Sequence, residues 1–200
     1  VHQLDSMESY VRLLQQDGGE TAVLFRELLI GVTNFFRDPD AFAALQERVI
    51  PALLSSKRNG DAIRVWAPGC STGEEAYSIA ILIQEQLSQS RLDARAQIFA
   101  TDIDPEAIEQ ARLGLYPNGI AADVSADRLA RFFAEENGAY RVKKVIRDMV
   151  VFAEQNVADD PPFSRMDLIS CRNLLIYMNS ELQRRVLPLF HYALNPAGYL

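Results

Sequence analysis

The sequence predicts an α/β fold whose central sheet is mainly parallel and whose crossover connections are right-handed. After Gly60, strand-like and helix-like patterns alternate, with strands over 63–67, 97–101, 150–154 and 167–171 and helices over 74–87, 105–112 and 180–193. The first strand runs into a turn of small residues, Gly69–Gly73 (the glycine turn), and a helix follows at once. That order lets the backbone approach a nucleotide-like ligand closely.

Composition and length exclude several classes of protein. A chain of 200 residues, 48% of them hydrophobic, forms one domain or one domain plus part of another. The net charge of −7 argues against nucleic acid as the main partner. Cys70 and Cys171 lack a C-x-x-C spacing, which indicates reduced thiols, a cytoplasmic protein and no metal site. No apolar run approaches the ~18 residues that span a bilayer, so no membrane insertion is expected.

The first sixty residues have helical patterns. Asp5 and Glu8 predict the start of a helix over 10–16, and the pair Gly18-Gly19 predicts its end. A second helical pattern covers 20–30, and Asp38-Pro39 is typical of a cap that begins a third helix.

Residues 114–150 interrupt the α/β alternation. They contain a turn at 116–119, a short helical pattern over 125–135, a tight turn at Asn137-Gly138 and a half-exposed strand over 140–145. We interpret this stretch as an insertion that forms a small subdomain. The chain starts at Val1 and its last six residues enter a new strand, so we expect a fragment cut at both ends.

The helix after the glycine turn begins with two carboxylates, Glu74 and Glu75. Phosphates bind at helix N-termini because the N–H groups and the helix dipole are positive there. Two carboxylates would repel a pyrophosphate, and the spacing of the glycines is not G-x-G-x-x-G. The two carboxylates instead suit a ligand that carries hydroxyls and positive charge, such as S-adenosyl-L-methionine (SAM).

Polar residues follow four of the predicted strands, at the edge where open α/β sheets bind ligands. They are the stretch 69–75, Asp102 with Asp104, Asn156, and Arg172 with Asn173. Asp102 can accept hydrogen bonds from ribose hydroxyls, whereas Asp104 before a proline is typical of a helix cap. Each asparagine could equally satisfy the backbone of its own turn.

Two further features have both a structural and a functional interpretation. Phe35 and Phe36 either form a hydrophobic staple beside a solvated Arg37, or anchor the segment Thr33–Arg37 so that Arg37 faces the site. Arginine is the side chain that binds carboxylates bidentately. Tyr177 is either a core aromatic or a hydroxyl donor to a reacting carboxylate.

The motifs TNFFR (33–37), STGEEAYSIA (71–80), ATDID (100–104) and CRNLLIY (171–177), in this order, resemble those of the CheR-type chemotaxis receptor protein-glutamate O-methyltransferases. The resemblance runs from about residue 20 to Leu200. It implies a class I SAM-dependent methyltransferase (Rossmann-like) fold over 32–200, with an inserted β-subdomain at 114–150 and further strands after Leu200. It also implies that residues 1–31 are the end of a helical N-terminal domain.

The resemblance implies roles for matching positions only. Those that would bind SAM, or its product S-adenosyl-L-homocysteine (SAH), are Thr33, Arg37, Gly69, Glu75, Asp102, Asn156, Val157, Arg172 and Asn173. Those that would act in catalysis are Arg37, Tyr177 and Arg172. A glutamate substrate is ionised at neutral pH and needs no general base, which agrees with the absence of a histidine near these motifs.

The chain departs from the family pattern at two places. Gly31 stands where asparagine is common, and the loss of one ordinary hydrogen bond would weaken cofactor binding by roughly 0.5–1.5 kcal/mol. The turn at 135–139 is short where some relatives have a glycine-rich loop that grips a receptor tail, so we predict no tail-peptide tether.

The partner that the resemblance implies is the set of cytoplasmic helices of methyl-accepting chemoreceptors, or a similar signalling protein. Two basic stretches could line a groove for such helices or could be solvated faces: Arg184-Arg185, and Arg141, Lys143, Lys144 and Arg147. Two other functions remain open, a methyltransferase acting on a small molecule and a non-catalytic SAM-binding signalling module.

Overall fold

The structure is a computed structural model that describes residues 6–20, 24, 31, 33–90 and 92–200. The chain divides into two compact units, Val1–Val32 and Thr33–Leu200. In the first unit, helix α1 (Met7–Gln16) begins at Ser6, whose hydroxyl accepts a hydrogen bond from the Ser9 N–H. The predicted cap Asp5 and most of the predicted helix over 20–30 lie outside the described residues.

Helix α1 ends at Gln16, as predicted for the helix over 10–16, but it begins three residues earlier than predicted, at Met7. The residue that ends it is Asp17 rather than the pair Gly18-Gly19, since residues 18–20 are helical again. The Asp17 carboxylate accepts hydrogen bonds from the N–H groups of Gly19 and Glu20, as a residue that caps a new helical turn does.

The second unit contains the elements of the α/β pattern. Its helices among the described residues are α2 (Pro39–Ala44), a π-helical segment (Leu45–Val49), α3 (Ile50–Ser55), α4 (Glu74–Gln89), α5 (Pro105–Leu113), α6 (Ala126–Phe132), α7 (Lys144–Arg147) and α8 (Ser180–Ala193). Its strands are β1 (Ala62–Pro68), β2 (Arg95–Asp102), β3 (Leu115–Pro117), β4 (Phe133–Glu136), β5 (Ala139–Val142), β6 (Val150–Glu154), β7 (Met166–Ile169) and β8 (Leu194–Tyr199). Short 3₁₀ turns cover Asn118–Ala122 and Leu175–Tyr177.

Five of these strands form the central sheet in the order β6-β2-β1-β7-β8, and every neighbouring pair is parallel. The predicted α/β class with a parallel sheet is therefore confirmed. Because all five strands point the same way, their carboxyl ends meet at one edge, and the loops that follow them lie side by side.

The core has two parts because successive residues of a strand point to opposite faces of the sheet. Val65 and Ala67 belong to one buried cluster, which includes the fully buried run Ile79–Ile83 of α4. Trp66 belongs to a second cluster with Phe190 of α8. Packing on both faces holds the carboxyl edge of the sheet in place.

Strands β3, β5 and β4 form a separate antiparallel sheet within 115–142. The predicted helix over 125–135 is too long, because Phe133 pairs with Val142 and starts β4. The predicted strand over 140–145 ends at Val142, because Lys144 starts α7. Asn137 and Gly138 both have positive φ, which suits the tight turn of a hairpin. That 114–150 is a subdomain of its own stays a prediction.

Candidate active site

The glycine turn joins β1 to α4 and is shaped by close packing. Gly69 has φ +71°, and a Cβ there would lie 3.1 Å from the Leu174 side chain. Gly73 has φ +94°, and a Cβ there would lie 2.9 Å from the Ala111 Cβ. Both positions therefore favour glycine, because its backbone tolerates a positive φ and because a side chain would clash with these neighbours. The backbone of the turn lies directly at the carboxyl edge of the sheet.

Asp102 lies on one side of the glycine turn, at the end of β2. Its carboxylate accepts hydrogen bonds from the Ser71 N–H at 2.7 Å and from the Asp104 N–H at 3.0 Å. Its carbonyl oxygen accepts the Gln155 N–H at 2.9 Å, which places the loop after β6 next to it. An ionised carboxylate has about four acceptor sites, so Asp102 can also accept hydroxyl donors.

Asp104 is a helix cap, as predicted. Its carboxylate accepts the Glu106 N–H at 2.9 Å at the start of α5. This local contact separates the role of Asp104 from that of Asp102, although the two carboxylates are only two residues apart.

Glu75 lies on the other side of the glycine turn. Its Oε1 accepts a hydrogen bond from the Ser170 hydroxyl at 2.8 Å, and its Oε2 lies 3.4 Å from Nη1 of Arg172. Burial raises the pKa of Glu75, while the Ser170 hydrogen bond and the Arg172 and Arg37 charges act in the opposite direction. The adjacent Glu74 accepts instead from the Thr72 hydroxyl at 2.7 Å.

Arg172 connects Glu75 to the segment that precedes α2. Its Nη2 donates to the carbonyl oxygen of Arg37 at 2.6 Å and to Oδ2 of Asp38 at 2.6 Å. Its guanidinium also lies over the Phe42 ring, 4.9 Å from the centroid. Asp38 occupies the N-cap position of α2 with Pro39 directly after it, as predicted, but its carboxylate caps no N–H group of the described residues and binds Arg172 instead.

Two buried aromatics anchor the segment Thr33–Arg37. The Phe35 ring packs edge-on against Tyr116 at 4.9 Å, and the Phe36 N–H donates to the Ser78 hydroxyl of α4 at 3.0 Å. Phe36 also packs 5.4 Å from Phe42, as a staple would. The carbonyl oxygen of Arg37 accepts a hydrogen bond from Arg172 at 2.6 Å, so the backbone of the anchored segment lies next to the pair Glu75–Arg172.

A cavity of about 410 Å³ borders this segment on the side of α2 and α6. Arg37, Asp38 and Phe42 are among its lining residues, and so is Arg128. Arg128 itself is bound to both carboxylate oxygens of Glu85, at 3.0 and 2.9 Å.

The loops after β6 and β7 carry three of the other predicted site residues. The Asn156 side chain accepts from the Ala158 N–H and donates to Asp159, so it satisfies its own loop in this structure. Val157 packs against the cluster that contains Trp66. Asn173 has φ +59°, which shapes the turn after β7.

Thr33 and Tyr177 lie at the ends of the site segments. Thr33 is half-buried. Tyr177 is 57% exposed, which contradicts its interpretation as a core aromatic. The binding and catalytic roles of all these residues stay predictions.

Sequence reasoning missed two residues that touch the site. Ser170 binds Glu75, and its position directly after β7 was a signal that could have been used. Tyr116 donates its hydroxyl proton to the Thr72 carbonyl oxygen at 2.6 Å, and no local pattern connects these positions, since they are 44 residues apart.

Four of the six basic residues considered for a partner groove are engaged with nearby oxygens. The pairs are Arg141 with Glu136, Lys144 with Asp148, Arg185 with Asp159, and Lys143 with the carbonyls of Ala130 and Arg131. These contacts favour the interpretation of both stretches as solvated faces.

The cysteines lie close to the site but are poor nucleophiles. Burial raises the pKa of Cys171 to about 12 and that of Cys70 well above its ordinary value, so both thiols stay protonated at neutral pH. Within the described ranges, no group of three His, Cys, Asp or Glu side chains could hold a metal ion, and no helix is long and apolar enough to cross a membrane.

Residues 31–200 match the family of the CheR methyltransferase SAM-binding domain. The chain is 46% identical over 200 residues to an uncharacterized 104.1 kDa protein of Rhodobacter capsulatus. This match covers all of the chain and 21% of the length of the Rhodobacter protein. It is 42% identical over 192 residues to the putative methyltransferase Cher3 of Pseudomonas putida, covering 92% of this chain and 67% of that protein. It is 34% identical over 194 residues to chemotaxis protein methyltransferase 1 of Pseudomonas aeruginosa, covering 94% and 70%.

The chain thus spans about one fifth of the Rhodobacter protein and about two thirds of the two Pseudomonas proteins. The matches confirm the predicted family, the SAM-dependent methyltransferase class and the cofactor. The family match covers the whole sheet edge described above, from Arg37 to Tyr177. This chain therefore belongs to the CheR methyltransferase family, in which residues 31–200 correspond to the SAM-binding domain.

Proposed function

We propose that this chain binds SAM along the carboxyl edge of its sheet and transfers the methyl group to glutamate side chains of chemoreceptors. The arrangement of Arg172 supports this proposal most directly. It joins the first turn of α4, through Glu75, to the backbone of Arg37 and to Asp38. A carboxylate, two arginines and the glycine turn are thereby gathered at one edge.

The residues at this edge fit SAM better than a phosphate-bearing nucleotide. Asp102 and Glu75 flank the glycine turn on the β2 and β7 sides, and both contribute negative charge at the Cys70 thiol between them. Two carboxylates attract a sulfonium and accept from ribose hydroxyls, whereas they repel a pyrophosphate. When bound, SAM supplies a methyl group already activated on a cationic sulfur.

The two arginines have different tasks in this proposal. Arg172 already donates to three neighbouring oxygens, so it holds the edge together. Arg37 orients the substrate carboxylate, because Arg172 fixes its backbone and Phe36 anchors the preceding position on α4. The exposed Tyr177 hydroxyl donates a hydrogen bond to the same carboxylate.

No general base is required, since the glutamate carboxylate is ionised at neutral pH. The remaining contribution of the chain is alignment of the attacking oxygen with the methyl group and exclusion of water. Thr33, Gly69, Asn156, Val157 and Asn173 complete the cofactor site. For Asn156 this requires its side chain to leave Ala158 and Asp159, which it contacts in this structure.

The proposed partner is the cytoplasmic helical part of chemoreceptors, or a similar signalling protein, and the proposed location is the cytoplasm. The name of the Pseudomonas aeruginosa relative, a chemotaxis protein methyltransferase, supports this substrate class. We further propose that residues 1–31 end a helical N-terminal domain and that 114–150 is a subdomain inserted in the methyltransferase domain.

The test combines binding with transfer. SAH is titrated into the chain by calorimetry, and labelled methyl transfer is measured on receptor-containing membranes and on a panel of small carboxylic acids. We expect SAH binding, transfer to receptor and a loss of transfer on the order of 100-fold in Arg37→Ala, because a misplaced substrate costs about that factor.

The matched control is Arg58→Ala, since Arg58 is an exposed arginine that precedes β1 at the opposite edge of the sheet. It should keep wild-type transfer. SAH binding without transfer to any substrate would support a non-catalytic module, transfer only to small acids would support the small-molecule alternative, and wild-type transfer by Arg37→Ala would remove Arg37 from catalysis.

A further inference from the structure

Tyr116, on β3, contacts both the glycine turn and the segment Thr33–Arg37. Its hydroxyl donates to the Thr72 carbonyl oxygen at 2.6 Å, inside the glycine turn. Its ring packs against Phe35 with 4.9 Å between centroids and 82° between planes. The residue is only 5% exposed, so both contacts are shielded from water.

We propose that Tyr116 is a positioning residue for the cofactor, which holds the glycine turn and the segment Thr33–Arg37 in the mutual placement that SAM binding requires. The inference rests on the proposed function, because it takes the glycine turn to be the cofactor site. It goes beyond that function by giving the antiparallel sheet a part in cofactor binding.

The glycine turn is held from two directions. Asp102 on β2 binds the Ser71 N–H at 2.7 Å, and Tyr116 on β3 binds the carbonyl of the next residue, Thr72, at 2.6 Å. Inside the turn, the Gly73 N–H donates to the Cys70 carbonyl at 2.9 Å. Loss of the Tyr116 hydroxyl removes the restraint from β3 and leaves those from β2, at Ser71 and at Cys70, intact.

The Tyr116 hydroxyl remains a donor at every working pH. Burial raises the pKa of Tyr116 far above its ordinary value, and the nearby Glu74 adds to this effect. The restraint on Thr72 is therefore present wherever the protein is folded, and it depends on the geometry of β3 rather than on protonation.

The chain supplies a matched control in Tyr77. This tyrosine is also buried, at 1% exposure, and also donates to a main-chain carbonyl, that of Ala111 on α5, at 2.8 Å. Tyr77→Phe and Tyr116→Phe each remove one buried hydroxyl of the same kind. Only the second removes a contact with the glycine turn.

The experiment compares the two variants in the complete chain. Amide hydrogen exchange over 71–73 is measured without ligand, and SAH affinity is measured by calorimetry. We expect Tyr116→Phe to speed exchange over 71–73 and to weaken SAH binding by about three- to ten-fold, as one lost hydrogen bond implies. The KM for SAM should rise by a similar factor while kcat changes less. Tyr77→Phe should lower thermal stability but change exchange over 71–73 and SAH affinity by less than about two-fold.

Equal effects of the two variants on exchange and affinity, or no effect of Tyr116→Phe on either, would overturn the inference. If the wild-type chain fails to bind SAH, the proposed function fails. The exchange comparison still decides whether Tyr116 restrains the glycine turn, so the two failures are distinguishable.

Discussion

The two sides of the glycine turn are built from different kinds of contact. On the β2 side, the Asp102 carboxylate is held by two backbone N–H groups, those of Ser71 and Asp104. These donors lie in the turn itself and in the loop that directly follows Asp102. The β2 side therefore needs only that β1 and β2 pair in register, which they do from Ala62 with Arg95 onwards.

On the β7 side, the Glu75 carboxylate is held by two side chains, those of Ser170 and Arg172. Arg172 is held in turn by Asp38 and by the carbonyl of Arg37. These residues come from three segments far apart in the chain, and every contact involves a side chain.

The difference indicates that the two sides of the glycine turn have different tasks. Backbone donors fix the Asp102 carboxylate with little freedom, which suits recognition of a constant group such as ribose. The contacts around Arg172 run through side chains, which have rotational freedom that backbone groups lack. We expect this side to lie where substrate and cofactor meet. Substitutions on the two sides should therefore have distinct kinetic signatures.

The largest expected effect is that of Arg172→Ala on turnover. Removal of the guanidinium leaves Glu75 and Asp38 without their common cation and releases the Arg37 backbone. We expect kcat to fall on the order of 100-fold at saturating SAM, the cost of a small misplacement of the reacting groups. Arg172→Lys, which keeps the charge but loses the planar fork, should retain part of the activity. Methyl-transfer assays measure kcat for both variants. An undiminished kcat in Arg172→Ala would contradict the different tasks of the two sides.

The next largest effect should be that of Asp102→Ala, which should lower the affinity for SAH rather than kcat. It removes the acceptor for ribose and leaves the Ser71 and Asp104 N–H groups without this partner. Because hydrogen bonds to charged groups contribute about 1.5–3 kcal/mol each, SAH affinity should fall about 10- to 100-fold. Calorimetric titration measures this change.

The control for Asp102→Ala is Asp104→Ala, which removes the cap of α5 and costs about 1 kcal/mol of stability. It should leave SAH affinity close to wild type. Equal losses of affinity in the two variants would show that the β2 side acts only through stability.

The third prediction concerns Glu75 on the β7 side, whose carboxylate should make the free energy of unfolding depend on pH. Burial raises the pKa of Glu75 above its ordinary value of 4.5, so the native state binds this proton more tightly than the unfolded state. The contribution of Glu75 to the free energy of unfolding therefore decreases as pH rises from 4.5 through the raised pKa. Glu75→Gln lacks this contribution. The difference in unfolding free energy, variant minus wild type, should increase across that window.

Urea denaturation of the ligand-free proteins at several pH values between about 4.5 and 7 measures this difference, because each gives an unfolding free energy by linear extrapolation. A difference that stays flat would mean that the Ser170 hydrogen bond and the arginine charges balance burial at Glu75, and one that decreases with pH would mean that they outweigh it. Either result would contradict the prediction.

The smallest effect on the cofactor should come from Asp167→Asn, although its effect on stability should be clear. Asp167 is 6% exposed on β7 and accepts from the Lys57 ammonium at 2.8 Å, the Arg64 N–H at 2.9 Å and the Asn195 amide at 2.8 Å. Loss of the charge should cost about 1–3 kcal/mol of unfolding free energy. SAH affinity should change by less than about two-fold, and a larger change would show that the β7 side depends on the whole strand.

Much of the fold was predictable because its signals are local. The strand over 150–154 and the helix over 180–193 have in the structure the bounds that the sequence predicts. The Asp104 cap depends on residues two positions apart. The wrong boundary after Phe132 falls where pairing with a neighbouring strand decides which residue ends the helix.

The site was predictable as a set of residues but not as a network. Glu75 and Arg172 were both named, and Asp38 is at the predicted N-cap position, yet the ion pair of its carboxylate with Arg172 was not predicted. Tyr116 was interpreted only as part of a turn, and its contacts with Thr72 and Phe35 join positions far apart in the chain. Such contacts leave no periodicity in the sequence from which they could be inferred.

By itself, the sequence determined the alternation of strands and helices, the glycine turn and the acidic start of α4, because hydrophobic period and glycine conformation act between near neighbours. Only the tertiary structure decided that Arg172 binds Asp38 and that Tyr116 restrains the glycine turn. The reason is that these hydrogen bonds depend on which strands become neighbours in space, which is settled by the packing of the whole sheet.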